Sequence, residues 1–215
     1  MSQALILPIG EVGYVATARA ILAGELAVIP TDTVYGLAAT PTDGGVARLF
    51  QAKGRPDDRP IPVLLAEAEA RASVVAAWPD TARVLAELFW PGPLTIVVPA
   101  RTGLPPALTA ASGNVGVRLP ANVAAREVLR RCGGHLAVTS ANRSGEAPAR
   151  TAEEAANVFG GHVACVLDGG RLGAGVPSTV VLAAPQKVTI CRLGAIPAWA
   201  LRWALPASIR LVEET

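Results

Sequence analysis

Eight short apolar runs recur along the chain, at residues 26–29, 61–65, 94–98, 115–119, 136–139, 163–167, 179–182 and 188–191. Each is four or five residues long and rich in Val, Ile and Leu. Runs of that length are too short for helices and predict strands. Helix-type segments lie between several of them. Residues 17–22 and 45–52 are two such segments, and 80–89 carries Val84, Leu85 and Leu88 at helical spacing. Asn122 is placed as an N-cap for a helix over 123–132 that ends at Gly133-Gly134. Thr151-Ala152-Glu153-Glu154 has the form of a capping box opening a helix toward Phe159. Strands and helices mixed in this order predict an α/β fold with a mixed sheet in a single domain over 1–215. The segment 197–205 carries Trp199 and Trp203 four apart. It predicts one helix packing its aromatic face on the body, a nucleic-acid stacking surface being the weaker alternative.

Composition narrows the classes. Of 215 residues, 51% are hydrophobic and 17% charged, enough apolar side chain to build a packed core and too much for a disordered chain. No uninterrupted apolar stretch approaches the ~20 residues of a membrane span. The first residues lack the basic segment of a secretion signal, so a cytoplasmic location is expected. Cys132, Cys165 and Cys191 are widely spaced with no metal-ligand pattern, and read as buried thiols in a reducing compartment. The formal net charge of +2 excludes a polybasic arm and permits only a local basic patch. Seventeen Arg stand against two Lys, Lys53 and Lys187. A lysine retained in so Arg-biased a chain suits a place that needs a compact ammonium.

Common nucleotide signatures are absent: no G-x-x-x-x-G-K-[ST] occurs, and Gly170, Gly173 and Gly175 have the wrong spacing for a dinucleotide fingerprint. His135 and His162 stand without neighbouring carboxylates or cysteines and read as structural, and no protein-held metal is expected. Four polar segments each abut a predicted strand. Pro30-Thr31-Asp32-Thr33-Val34-Tyr35-Gly36-Leu37 puts hydroxyls, a carboxylate and a phenol at a strand end, fit for a small polar ligand or for an Asx or ST turn. Lys53-Gly54-Arg55-Pro56-Asp57-Asp58-Arg59 presents three cations that suit a polyphosphate, or a solvated loop in which the two aspartates neutralise them. Val138-Thr139-Ser140-Ala141-Asn142-Arg143-Ser144-Gly145 could hold a phosphate or a nucleobase, or be a plain turn. The fourth runs from Asp168-Gly169-Gly170 to Pro177-Ser178-Thr179. Arg118 and Arg192 add cations in apolar surroundings, where an unpaired charge is costly and an anionic partner is wanted.

Taken as an ordered set, these segments resemble the YrdC/Sua5 family of threonylcarbamoyl-AMP synthases. The motifs are Pro-Thr-Asp-Thr-Val-Tyr-Gly-Leu (30–37), Lys-Gly-Arg-Pro (53–56), Trp-Pro-Gly-Pro-Leu-Thr (90–95), Val-Arg-Leu-Pro (117–120), Thr-Ser-Ala-Asn-x-Ser-Gly (139–145), Pro-Ser-Thr-Val (177–180) and Arg-x-Gly (192–194), and the likeness spans about 10–196. The resemblance implies a twisted α/β sheet with a concave basic face, in the short form without a further C-terminal domain. It implies synthesis of L-threonylcarbamoyladenylate from L-threonine, bicarbonate and ATP, with Mg2+ arriving on the ATP. The product would feed N6-threonylcarbamoylation of adenosine 37 in tRNA through a downstream transferase complex. By resemblance Lys53 and Arg55 are catalytic, and with Arg59 they face the phosphates. Asn114, Ser140, Asn142 and Arg192 hold the nucleotide, and Thr33, Tyr35, Arg118, Val138 and Ser178 form the threonine pocket. No residue is an obvious general base. Leu64 stands where some relatives carry a His, and Arg192-Leu193-Gly194 replaces a frequent Arg-Pro-Gly. Two rival readings are a tRNA- or double-stranded-RNA-binding module without chemistry, and a carbamoyl transferase of the hydrogenase-maturation kind.

Overall fold

The computed structural model describes residues 4–54, 60–109, 112–173 and 175–214. In chain order the elements are β1 (Leu5–Pro8), α1 (Glu11–Leu22), β2 (Ala27–Ile29), β3 (Gly36–Ala39), α2 (Asp43–Lys53), β4 (Val63–Leu65), α3 (Asp80–Phe89), β5 (Leu94–Pro99), the single turn α4 (Pro106–Thr109), β6 (Asn114–Arg118), α5 (Val123–Arg131), β7 (His135–Ser140), α6 (Ala152–Phe159), β8 (Cys165–Asp168), β9 (Thr179–Ala184), β10 (Lys187–Arg192), α7 (Ala198–Ala204) and β11 (Arg210–Glu213). All eleven strands join one sheet in the order β1-β8-β2-β3-β7-β4-β6-β5-β9-β10-β11. Five of its pairings are parallel and five antiparallel, the mixed sheet expected of the sequence.

Alternation along the strands divides the core into two layers. Val28, Val63, Leu65, Val115, Val117 and Ala137 point to one face. Ala27, Ile29, Leu64, Leu136 and Val138 point to the other, as a two-residue period requires. Helices α2, α3, α4 and α6 spread over the first face from β1 to β9. On the second face α1 and α5 pack on β1, β2, β4, β7 and β8. The same face of β5, β6, β9 and β10 carries no such helical cover among the described residues, and there the cavity described below opens.

Local chemistry fixes the helix ends. Thr42, Asn122 and Thr151 each cap a helix by accepting an N–H three residues on, from Gly45, Ala125 and Glu154. Glu154 bonds back to the N–H of Arg150 rather than to that of Thr151, so the capping box is offset by one residue. Gly54 ends α2 in the left-handed region at φ 58°, turning the chain away directly after Lys53.

Two expectations are corrected here. Helix α7 forms, but Trp199 and Trp203 are 73% and 81% exposed, while Leu201 between them is fully buried. At 100° per residue, positions two away from the buried Leu201 fall on the outer face. The cysteines are not uniformly buried: Cys165 is, Cys132 is half-buried, and Cys191 is exposed, because Val188 and Ile190 take the inward positions of β10. No described helix is long and apolar enough to cross a membrane.

Candidate active site

A cavity of about 800 Å³ lies on the open face, walled by strand ends and the loops that follow them. Period-two geometry aims its side chains. Leu64, Thr95, Arg118, Val138 and Val180 all line it, one from each of five strands, and their neighbours Val63, Ile96, Val117, Ala137 and Val181 point into the core beneath. Gly36 lets the floor close: a Cβ there would sit 2.5 Å from Val138 Cγ1.

Eight of the twelve residues anticipated for the site line this cavity: Thr33, Lys53, Arg118, Val138, Ser140, Asn142, Ser178 and Arg192. Arg55 and Arg59 lie outside the described residues. Two are not on its wall. Tyr35 alternates with the lining residues Val34 and Gly36, so its ring enters the core on the opposite face. Its hydroxyl donates to Gly170 O (2.7 Å) and accepts from Gly169 N (3.0 Å), pinning that loop. Burial pushes the phenol up to about 12, against the lowering effect of the Gly169 N–H. Asn114 starts β6, roughly 13 Å along the strand from Arg118, and its amide donates to Ser112 O at 3.2 Å.

One pole of the cavity is Lys53. Buried at the C-terminus of α2, its ammonium donates to Ser140 O (2.6 Å), Asn142 O (2.8 Å) and Asn142 Oδ1 (3.4 Å). Asn142 is itself locked, its Nδ2 donating to Arg143 O (2.8 Å) and Glu146 O (2.9 Å). The cation and the 140–146 loop thus form one rigid unit.

The second pole is Arg118, 5% exposed. Its Nε donates to Gly92 O (3.0 Å) and its Nη1 to Thr33 Oγ1 (3.1 Å). Its Nη2 lies 2.7 Å from Asp32 Oδ1 in a buried ion pair. Of five guanidinium N–H groups, two donate to Gly92 O and Thr33 Oγ1, and the buried Nη2 faces Asp32. Asp32 is anchored by accepting from Ala121 N (3.1 Å), and Thr31 Oγ1 braces the turn by accepting from the Thr33 and Val34 amides at 3.2 and 3.3 Å. The ST turn and the ligand-facing loop are thus the same structure. Burial lowers the Arg118 pKa, Asp32 opposing it.

Arg192 lies beside the second pole. It donates to Ser178 O (2.7 Å from Nη2) and, more weakly, to Ser178 Oγ (3.3 Å), and the Ser178 and Thr95 hydroxyls bond each other at 2.9 Å. Burial, and then the charge of Arg118, lower the Arg192 pKa. Among the described residues no carboxylate is ion-paired with Arg192, so two guanidiniums repel each other in a partly dry cavity, an arrangement relieved by an anion. Gly194 holds this corner together, since a Cβ would lie 2.3 Å from Pro177 O. Sequence reasoning missed Glu214, which reaches the cavity from β11, and gave Cys191 no place on the wall. Residues 210–213, Arg-Leu-Val-Glu, carry no alternation that signals β11. No described group of three or more His, Cys, Asp or Glu could hold a metal ion.

Comparison with known proteins shows the family. The model of the Sua5/YciO/YrdC family, described as telomere recombination, matches residues 19–194. The chain belongs to the Sua5/YciO/YrdC family. It is 38% identical over 175 residues to the threonylcarbamoyl-AMP synthase of Pyrococcus abyssi, covering 81% of this chain and 52% of that protein. To the threonylcarbamoyl-AMP synthase of Thiobacillus denitrificans it is 37% identical over 168 residues, 77% of this chain and 88% of that one. The crystal structure of P. abyssi Sua5 complexed with L-threonine superposes with a TM-score of 0.88 at 34% identity, over 98% of this chain and 62% of the other. The chain thus spans about half the length of the P. abyssi relative, and the shared part is the Sua5/YciO/YrdC fold that carries the cavity.

Proposed function

We propose that this cavity makes L-threonylcarbamoyladenylate and pyrophosphate from L-threonine, bicarbonate and ATP, with water as the other product. The observation that carries the reading is the pairing, in one cavity, of a buried guanidinium beside two hydroxyls with a caged ammonium beside a polar loop. The relative that holds L-threonine in its crystal structure supports it. Arg118 takes the threonine carboxylate, and Thr33 and Ser178 face the hydroxyl end. The amine captures carbon dioxide or bicarbonate as a carbamate. A carbamate oxygen then attacks the α-phosphate, and pyrophosphate leaves toward Lys53, with Arg55 and Arg59 expected from the sequence as further cations for it.

Two anions must meet, so the protein's contribution is position and fixed positive charge rather than a proton-transfer group. Mg2+ enters with the ATP phosphates as part of the nucleotide substrate. The product passes to a transferase complex that modifies tRNA, and the location is the cytoplasm. An RNA-binding role is less well supported: a duplex backbone reaches surface cations, whereas Arg118 is 5% exposed.

The test is pyrophosphate release from ATP. It should require threonine and bicarbonate together, and Lys53→Ala should slow it by about 10²–10³-fold, the range for losing one fixed stabiliser of developing charge. Near-normal release by Lys53→Ala, with the fold intact by circular dichroism, would overturn the assignment.

A further inference from the structure

Glu214 is the sole carboxylate among the described residues that line the cavity. It lies beyond residue 194, where the family match ends. Strand β11 runs parallel to β10 with Ile190 opposite Glu213, and the Glu214 N–H donates to Ile190 O at 3.0 Å. That bond fixes its backbone one strand spacing, about 4.8 Å, from the Cys191–Arg192 pair. The other charged groups described on the wall are Lys53, Arg118 and Arg192, all cations. A carboxylate repels phosphate, bicarbonate and the threonine carboxylate alike, so its ligand must be a donor-bearing, uncharged or cationic part of a substrate.

Position decides which part. Across the sheet the cavity residues run from Ser140 on β7, which holds Lys53, through Arg118 on β6 and Arg192 on β10 to Glu214. Threonine on Arg118 lies four strands from β11. With pyrophosphate leaving toward Lys53 and the α-phosphate facing the carbamate, the nucleoside is left on the Arg192 side, next to Glu214. The donors there are the vicinal hydroxyls of ribose. An acidic residue paired with ribose hydroxyls recurs in nucleotide-binding folds of other topology.

We propose that Glu214 is a binding residue for the ribose of ATP, its two carboxylate oxygens accepting from the 2′- and 3′-hydroxyls. The inference rests on the ATP reading above. The experiment compares kcat/KM for ATP, 2′-deoxyATP, 3′-deoxyATP and ITP in the full chain and in Glu214→Ala and Glu214→Gln. The wild type should prefer ATP over each deoxy analogue by about tenfold or more, one charge-assisted hydrogen bond. In Glu214→Ala that preference should fall toward unity with the threonine KM unchanged, and Glu214→Gln should fall between. An equal ATP-to-deoxyATP ratio in wild type and Glu214→Ala would overturn the inference, as would a change confined to the ATP-to-ITP ratio, which would move the contact to the base. Absence of ATP turnover in the wild type would overturn the ATP reading itself, and this inference with it.

Discussion

Arg118 shows how one side chain is set by sequence, strand and neighbour together. The two-residue period turns it away from the core that takes Val115 and Val117. Gly92 O and Thr33 Oγ1 then fix its plane, and Asp32 pairs with its charge. Lysine there would keep the charge and lose the fork. Arg118→Lys is therefore expected to raise the threonine KM by about 10–100-fold, the worth of a charged hydrogen bond or two, with little change in the KM for ATP. Asp32→Asn should act in the same direction but more weakly, since Asp32 positions the guanidinium without lining the cavity. Steady-state kinetics in both substrates separates these effects, and a uniform loss of kcat at unchanged KM would contradict them. At this scale the sequence was legible where a polar residue interrupts an apolar strand, as at Arg118. It misled at Tyr35, because a motif read as one loop hides that alternate residues face opposite sides of the sheet.

Among the elements, the cavity depends on close backbone approaches and on loops pinned from behind. Gly194→Ala would press a Cβ to 2.3 Å from Pro177 O, beside the carbonyl that orients Arg192. It is expected to cost about 1–3 kcal/mol of stability and to weaken ATP use more than threonine use, as melting and kinetics would show. Tyr35 pins the 168–170 loop through two backbone bonds. Tyr35→Phe removes both bonds from the partly exposed 169–170 backbone, at about 1 kcal/mol. Tyr35 also gives stability an alkaline dependence of definite sign. Its phenol titrates near 12 when folded, against the ordinary 10, so the folded chain keeps a proton that the unfolded chain releases. Stability from this group is complete below pH 10 and is lost as pH climbs toward 12. Tyr35→Phe should remove that component of the slope in chemical denaturation followed from pH 9 upward, and an unchanged slope would contradict the burial argument. Periodic helices such as α3 and α5 were readable, the latter with its Asn122 cap. Strands β1, β3 and β11 were not. Gly36–Ala39 is buried on both sides and shows no alternation, and the other two are four-residue strands toward the sheet's edges, specified by their neighbours rather than by their own pattern.

For the whole molecule, the formal charge of +2 is spread over a chain whose three described cavity cations converge from α2, β6 and β10. The sequence could suggest that the four polar segments belong together only through their ordered resemblance to a family. Their convergence depends on sheet order, which brings β7, β6, β9 and β10 around one cavity although dozens of residues separate them. Binding by convergent groups in a cavity also differs from binding by a charged surface in its salt response. Affinity for tRNA, if it were the activity, should fall by orders of magnitude between 50 and 200 mM salt, whereas ATP turnover by a site of this kind should change far less.

The most direct test of the central claim is mass spectrometry of the purified protein incubated with Mg-ATP, L-threonine and bicarbonate, with each substrate omitted in turn. The account predicts threonylcarbamoyl-AMP and pyrophosphate in the complete mixture alone. Intact ATP and no adduct in that mixture, from a folded protein, would contradict it.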